Sequence, residues 1–161
     1  HINLLCICFG AQAVAQALGG RVEKMNRPFN RGGDPLTVQP EFYELEYVKG
    51  LGLDPKVPFV IGKAHGDHIA ELPKGAVLYG SSTVANVELF TIGENVLAMQ
   101  GHPEFNEAWV AGANYRSSKL DLEDYEGYAE KYIQDVFPER ITQEELLKVC
   151  YSFLKKKSGL E

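Results

Sequence analysis

Three residues in this sequence have the types and settings for acyl transfer, namely Cys8, His102 and Glu104. Cys8 lies between an apolar run, Ile2 to Ile7, and an alanine-rich stretch that opens as a helix near Ala11. A thiol on such a strand-to-helix elbow is lifted to the edge of the sheet. The helix N-terminus then aims unpaired N–H groups at it and favours thiolate, the nucleophilic form of a group with a free pKa of about 8.5. The backbone N–H of Phe9 is placed to donate to an oxyanion on a carbonyl attacked by Cys8. A cysteine nucleophile needs a base, and the base needs an orienting acceptor. His102-Pro103-Glu104, at the end of the strand Val96 to Met99 and after Gln100, offers both in one stiff turn. Taken singly, each motif has a plainer reading. Cys6 and Cys8 read equally well as small buried hydrophobes, and His-Pro-Glu as a surface turn.

The two motifs in this order, "ICFGAQAVAQALGG" and later "AMQGHPEF", resemble those of the class I glutamine amidotransferase family, with "AHGDHIAELPKGAVLYGSS" between them similar to that family's His-x-Asp loop. The likeness runs from Leu4 to Phe105, and three ordered motifs are far more specific than one. The resemblance implies roles residue by residue. Cys8 matches the nucleophile, His102 the general base and acid, and Glu104 the residue that orients the imidazole. Phe9 and Gly10 match the elbow backbone, Gln12 matches a glutamine near the bound substrate, and His65 and Asp67 match a loop over the pocket. The chain departs from the family pattern at Cys6, where glycine is usual, at Ala11, where histidine is common, and at Gly101, where several synthetase-linked members carry phenylalanine. "QGHPEF" is closest in look to stand-alone γ-glutamyl peptidase-like members.

Positioning these groups requires a sheet. The apolar run 2–7 reads as a central strand covered on both faces, flanked by strands on both sides. Val14, Ala17 and Leu18 share one face of the first helix, which Gly19-Gly20 ends. Gly32-Gly33-Asp34-Pro35 reads as a turn. Phe59 to Ile61 is an apolar run leading to a polar loop at Ala64 to Asp67. Ala76 to Tyr79 reads as a strand, and Val87 to Ile92 and Val96 to Met99 as a hairpin closed by Gly93-Glu94-Asn95. Leu122 to Val136 is periodic as a helix. Thr142 and Glu145 form a capping box for a last helix that buries Leu146, Leu147, Cys150, Phe153 and Leu154. The fold expected is α/β, an open, mostly parallel sheet with helices on both faces, and the resemblance makes it flavodoxin-like. Residues 1–161 read as the C-terminal two-thirds of one catalytic domain. The family carries about a third of its domain before the elbow, including the loop that donates the second oxyanion N–H.

Composition narrows the partners. A net charge of −6, from 16 Lys and Arg against 22 Asp and Glu, argues against nucleic acid or an anionic membrane surface. Three cysteines without disulfide or metal spacing point to a reducing, cytoplasmic setting and to no metal. The expected activity is hydrolysis of the γ-glutamyl amide bond of glutamine or a γ-glutamyl peptide through a γ-glutamyl thioester, without a cofactor. The alternatives are a glutaminase subunit feeding ammonia to a synthetase partner, and a non-catalytic structural relative.

Overall fold

In the computed structural model, which describes residues 2–26, 30–118 and 141–156, the elbow strand β1 (Leu4–Ile7) runs parallel to β9 (Val96–Met99) in the register Leu4↔Val96 to Ile7↔Met99. Between them in sequence come α1 (Phe9–Ala17), β2 (Arg21–Lys24), β3 (Asn30–Pro35), β4 (Thr37–Val38), a 3-10 turn at Pro40–Glu44, β5 (Val60–His65), β6 (Asp67–Glu71), β7 (Ala76–Ser81) and β8 (Leu89–Ile92). After β9 come α2 (Glu107–Ser118) and α3 (Gln143–Lys155).

The main sheet has the order β1-β9-β8-β7-β4, and two-stranded pairs β2-β6 and β3-β5 stand beside it. The α/β class is as expected, but the described sheet is mixed. Only β1 and β9 pair in parallel, while β9-β8, β8-β7 and β7-β4 are antiparallel. For β8 and β9 the cause is local: the three-residue Gly93–Asn95 connection can only return the chain antiparallel. Among the described strands β1 pairs with β9 alone, so the expectation of a strand on each side is met on one side. Accordingly Leu4 is half exposed.

Side-chain alternation divides the core in two. Cys6 of β1, Phe90 of β8 and Ala98 of β9 face α1, where they meet Ala11, Ala15 and Ile69. Leu89, Leu97 and Met99 face the other way, against Phe42, Leu146, Val149, Cys150 and Phe153. One helix therefore lies on each face, and the Cys6 thiol is absorbed into the small-residue packing under α1.

Four local readings change. Gly32-Gly33-Asp34-Pro35 is extended in β3 and pairs residue for residue with β5, because a ladder of backbone hydrogen bonds outweighs its turn preference; Pro35 stands at the strand end, where a missing donor is tolerated. In α1 the buried residues are Ala11, Gln12 and Ala15, while Leu18 is exposed, so the helix turns its small face inward. In α3 the buried residues are Leu146, Val149, Cys150 and Phe153, and Leu147 and Leu154 are exposed. Finally, Thr142 makes no side-chain cap. Its Oγ1 instead accepts the Val60 N–H at 3.0 Å, tying α3 to β5. The helix expected over 122–136 lies outside the described residues. Among those described, no helix is long and apolar enough to cross a membrane.

Candidate active site

Because β1 and β9 are parallel and in register, both chains leave the sheet at the same edge. Cys8 follows Ile7 and Gln100 follows Met99, which places them side by side, about one strand spacing of ~4.8 Å apart in the backbone. The Cys8 N–H donates to Met99 O at 2.8 Å, and Gln12 N donates to Cys8 O at 3.1 Å as the first turn of α1 closes. Between these two anchors Cys8 takes φ 51°, ψ −108°, the one positive φ of a non-glycine residue among those described. Such a conformation costs on the order of 1–3 kcal/mol and persists only where the surroundings impose it.

The sulfur is half-buried. Burial pushes the Cys8 thiol above its ordinary pKa; a backbone bond from Phe9 opposes this, and the Glu104 carboxylate adds to it. Lost hydration therefore works against the thiolate expected at the helix terminus. Gln100 is fully buried, and its Nε2 lies 4.0 Å from the Cys8 sulfur. Its Oε1 accepts from Gln12 Nε2 at 3.2 Å, and that same nitrogen donates to Asp67 O at 3.0 Å. Both N–H donors of Gln12 are therefore taken by the protein.

The turn after Gln100 is held by β5. His102 N–H donates to Gly62 O at 2.8 Å, forming an isolated antiparallel bridge. Two glycines permit this approach. A Cβ on Gly101 would stand 2.8–2.9 Å from three atoms of the Ile61 side chain, and one on Gly62 would stand 2.7 Å from Phe105 Cβ. Gln143 Nε2 of α3 donates to Glu104 O at 2.7 Å, bracing the far end. Within this frame His102 Nδ1 meets Glu104 Oε1 at 2.7 Å, which leaves Nε2 for proton exchange. Among the described residues His102 makes no hydrogen bond to the Cys8 sulfur.

His65 and Asp67 flank the bend between β5 and β6 and are strand residues, not members of a loose polar loop. The Asp67 side chain is exposed, and its backbone carbonyl makes the contacts, accepting from Gln12 and from His65 Nδ1 at 2.9 Å. His65 is buried, so Nδ1 carries the proton and Nε2 is a buried acceptor without a partner among the described residues. Burial lowers the His65 pKa; the bond to Asp67 opposes this, and Lys63, His102 and His68 reinforce it.

Two features escape the sequence reading. Lys63 is fully buried, donating to Asp34 Oδ2 at 2.7 Å, to Ser82 Oγ at 2.9 Å and to the buried Glu88 carboxylate. The available signal was a lysine inside "FVIGKAH" and a glutamate inside "NVELF", charges within apolar strand runs. The second is an aromatic stack on His102, built from Phe105 and Trp109.

The family described as "Glutamine amidotransferase class-I" matches residues 1–109. Gamma-glutamyl peptidase 3 of Arabidopsis thaliana is 33% identical over 157 residues, covering 95% of this chain and 61% of that protein. A glutamine-hydrolyzing GMP synthase of Dinoroseobacter shibae is 33% identical over 104 residues, 64% of this chain and 19% of that protein. The crystal structure of a glutamine amidotransferase from Methylobacillus flagellatus superposes with a TM-score of 0.64 at 17% identity, covering 95% of this chain and 62% of that one. The chain thus spans about three-fifths of the length of the peptidase it matches. Its fold is the flavodoxin-like fold of these proteins, and the chain belongs to the class I glutamine amidotransferase family.

Proposed function

We propose that this chain carries the catalytic site of a γ-glutamyl hydrolase, with Cys8 as nucleophile, His102 as base and acid, and Glu104 as the residue orienting the imidazole. The observation that carries the proposal is the strained Cys8 elbow, at the same sheet edge as the His102–Glu104 pair. Strain at a single non-glycine residue, held by bonds on both sides, is a mark of a functional position.

Cys8 gives its proton to His102 Nε2, and its sulfur bonds to the γ-carbonyl carbon. Phe9 N–H donates to the oxyanion. Imidazolium then returns the proton to the leaving nitrogen as the C–N bond breaks, leaving a γ-glutamyl thioester. Water, deprotonated by His102, releases glutamate and the thiol. Burial raises the Cys8 thiol, so the sulfur becomes nucleophilic only as its proton passes to a base. Gly10 and Phe9 shape the elbow, Gln12 offers Oε1 to the substrate, and His65 Nε2 offers a buried acceptor beside it. Residues 1–161 would then be the later part of one catalytic domain, working in a reducing, cytoplasmic setting, without a metal or cofactor.

The 33% identity to a gamma-glutamyl peptidase over nearly the whole chain favours γ-glutamyl peptides as substrates. The similarity to a glutamine-hydrolyzing GMP synthase supports a second reading, in which the ammonia goes to a synthetase partner. The test is to give the protein L-glutamine and γ-glutamyl-glycine, measuring ammonia and glycine, with Cys8→Ser and His102→Gln in parallel. Release that either variant leaves intact defeats the assignment. Turnover confined to glutamine would favour the second reading.

A further inference from the structure

The His102 ring is fixed at one nitrogen by Glu104, but a single hydrogen bond leaves a ring free to swing about it. Glu104 is itself about half exposed and gives a soft support. The plane of the imidazole must be set by something else. The Phe105 ring lies against His102 with centroids 4.0 Å apart and planes 1° from parallel. Behind Phe105 lies Trp109, stacked in turn at 22°. Phe105 is buried and cannot retreat, because its Cβ sits over the bare Cα of Gly62, the residue whose carbonyl holds the His102 backbone. Asn106 Oδ1 accepts the Trp109 N–H at 2.8 Å, capping α2 and fixing Trp109 against the stack. Gly62 thus holds His102 by its carbonyl and, by lacking a side chain, holds Phe105.

We propose that Phe105 and Trp109 are positioning residues that set the plane of the His102 imidazole, and hence the direction of Nε2. Their catalytic effect rests on the reading of His102 as the base. A face contact constrains the rotation that the Glu104 bond leaves open, so the two contacts together define the ring. Stacked aromatic pairs are also stabilised beyond the area they bury, which favours one ring orientation over another.

The experiment compares Phe105→Leu, Phe105→Tyr and Trp109→Leu with the parent protein by two readouts. One is the His102 Cε1 proton resonance, which the Phe105 ring current displaces upfield. The other is the division of any loss between kcat and KM, with L-glutamine and γ-glutamyl-glycine as substrates. Phe105→Leu is expected to return the resonance downfield and to lower kcat, toward the about 10²-fold that misplacing a catalytic group by an ångström costs, at unchanged KM. Phe105→Tyr should keep both near the parent. Trp109 is the one tryptophan of the chain and is partly exposed, so Trp109→Leu should fold and show a smaller shift in the same sense. It decides the matter if Phe105→Leu does not fold. A folded Phe105→Leu protein, or failing that Trp109→Leu, with unchanged kcat overturns the proposal, whatever the resonance does. That failure is distinct from failure of the base assignment, which would show as activity retained in His102→Gln.

Discussion

The side-chain amide of Gln12 donates to Gln100 Oε1 across 3.2 Å, joining the first turn of α1 to the residue after β9. Gln100 in turn points its own amide at the Cys8 sulfur, and Gln12 reaches the carbonyl of Asp67. The helix, the sheet edge and the bend between β5 and β6 therefore meet through two buried amides next to Cys8. Replacing Gln100 with leucine leaves one Gln12 N–H buried without an acceptor, at a cost of about 1–3 kcal/mol. Urea unfolding should show that loss, and alkylation of Cys8 by iodoacetamide at a fixed alkaline pH should slow as the sulfur loses a donor. Unchanged stability and labelling would mean the amide pair is incidental.

Alkylation should also report the raised Cys8 pKa. Labelling by iodoacetamide needs thiolate, so its rate should keep rising through and above the range in which an ordinary thiol has saturated. Glu104→Gln removes a negative charge that contributes to the rise, so its labelling curve should move to lower pH. A curve that saturates like that of a free thiol would contradict the half-buried site.

Stability should fall on the alkaline side. Burial raises the Cys150 thiol to about 12 from an ordinary 9.0, so the folded state prefers the protonated form. A raised folded pKa gives stability that is complete below the unfolded value and is lost as pH rises toward the folded one. The loss attributable to Cys150 should begin near pH 9, and Cys150→Val should flatten that part of the curve. His65 runs the other way: its lowered pKa gives stability present above the unfolded value of 6.5 and lost as pH falls through the folded one. His65→Gln should flatten the acid side below pH 6.5. Thermal melts across pH would check both.

Adding a methyl at Gly101 should strain the site turn against Ile61, costing about 1–3 kcal/mol as overpacking does. Ile61→Ala in the same protein should recover part of that cost. A double-mutant cycle therefore predicts strong coupling between positions 61 and 101. Additive losses would show that the turn relaxes elsewhere.

Lys63→Met should remove the cation that Asp34 and Glu88 share in the interior. Breaking one partner of a buried ionic group costs about 3–5 kcal/mol, because a charge is left uncompensated. Burial already pushes the Glu88 carboxyl up, against the opposing pull of Lys63. Glu88→Gln combined with Lys63→Met should therefore be less damaging than Lys63→Met alone in urea unfolding.

What the sequence determined by itself was local. The apolar run before Cys8 made a strand, the alanines after it made a helix, and Gly93–Asn95 closed the hairpin that delivers Gln100 and His102. Each rests on short-range rules of periodicity and turn chemistry, so the elements that carry Cys8, His102 and Glu104 were legible along the chain. Tertiary structure decided what those rules do not see. The ladder with β5 pulled Gly32 to Pro35 out of a turn, and Val60 drew Thr142 away from capping its own helix. Burial raised the thiol that the helix terminus alone would have lowered. Ile61 and Phe105 made Gly101 and Gly62 necessary, and three rings from a turn and the helix after it became one stack. For most of these the reason is that desolvation, close approach and cross-chain hydrogen bonds depend on neighbours distant in sequence. The stack joins residues near in sequence, but its ring planes are set by packing against Gly62 of β5.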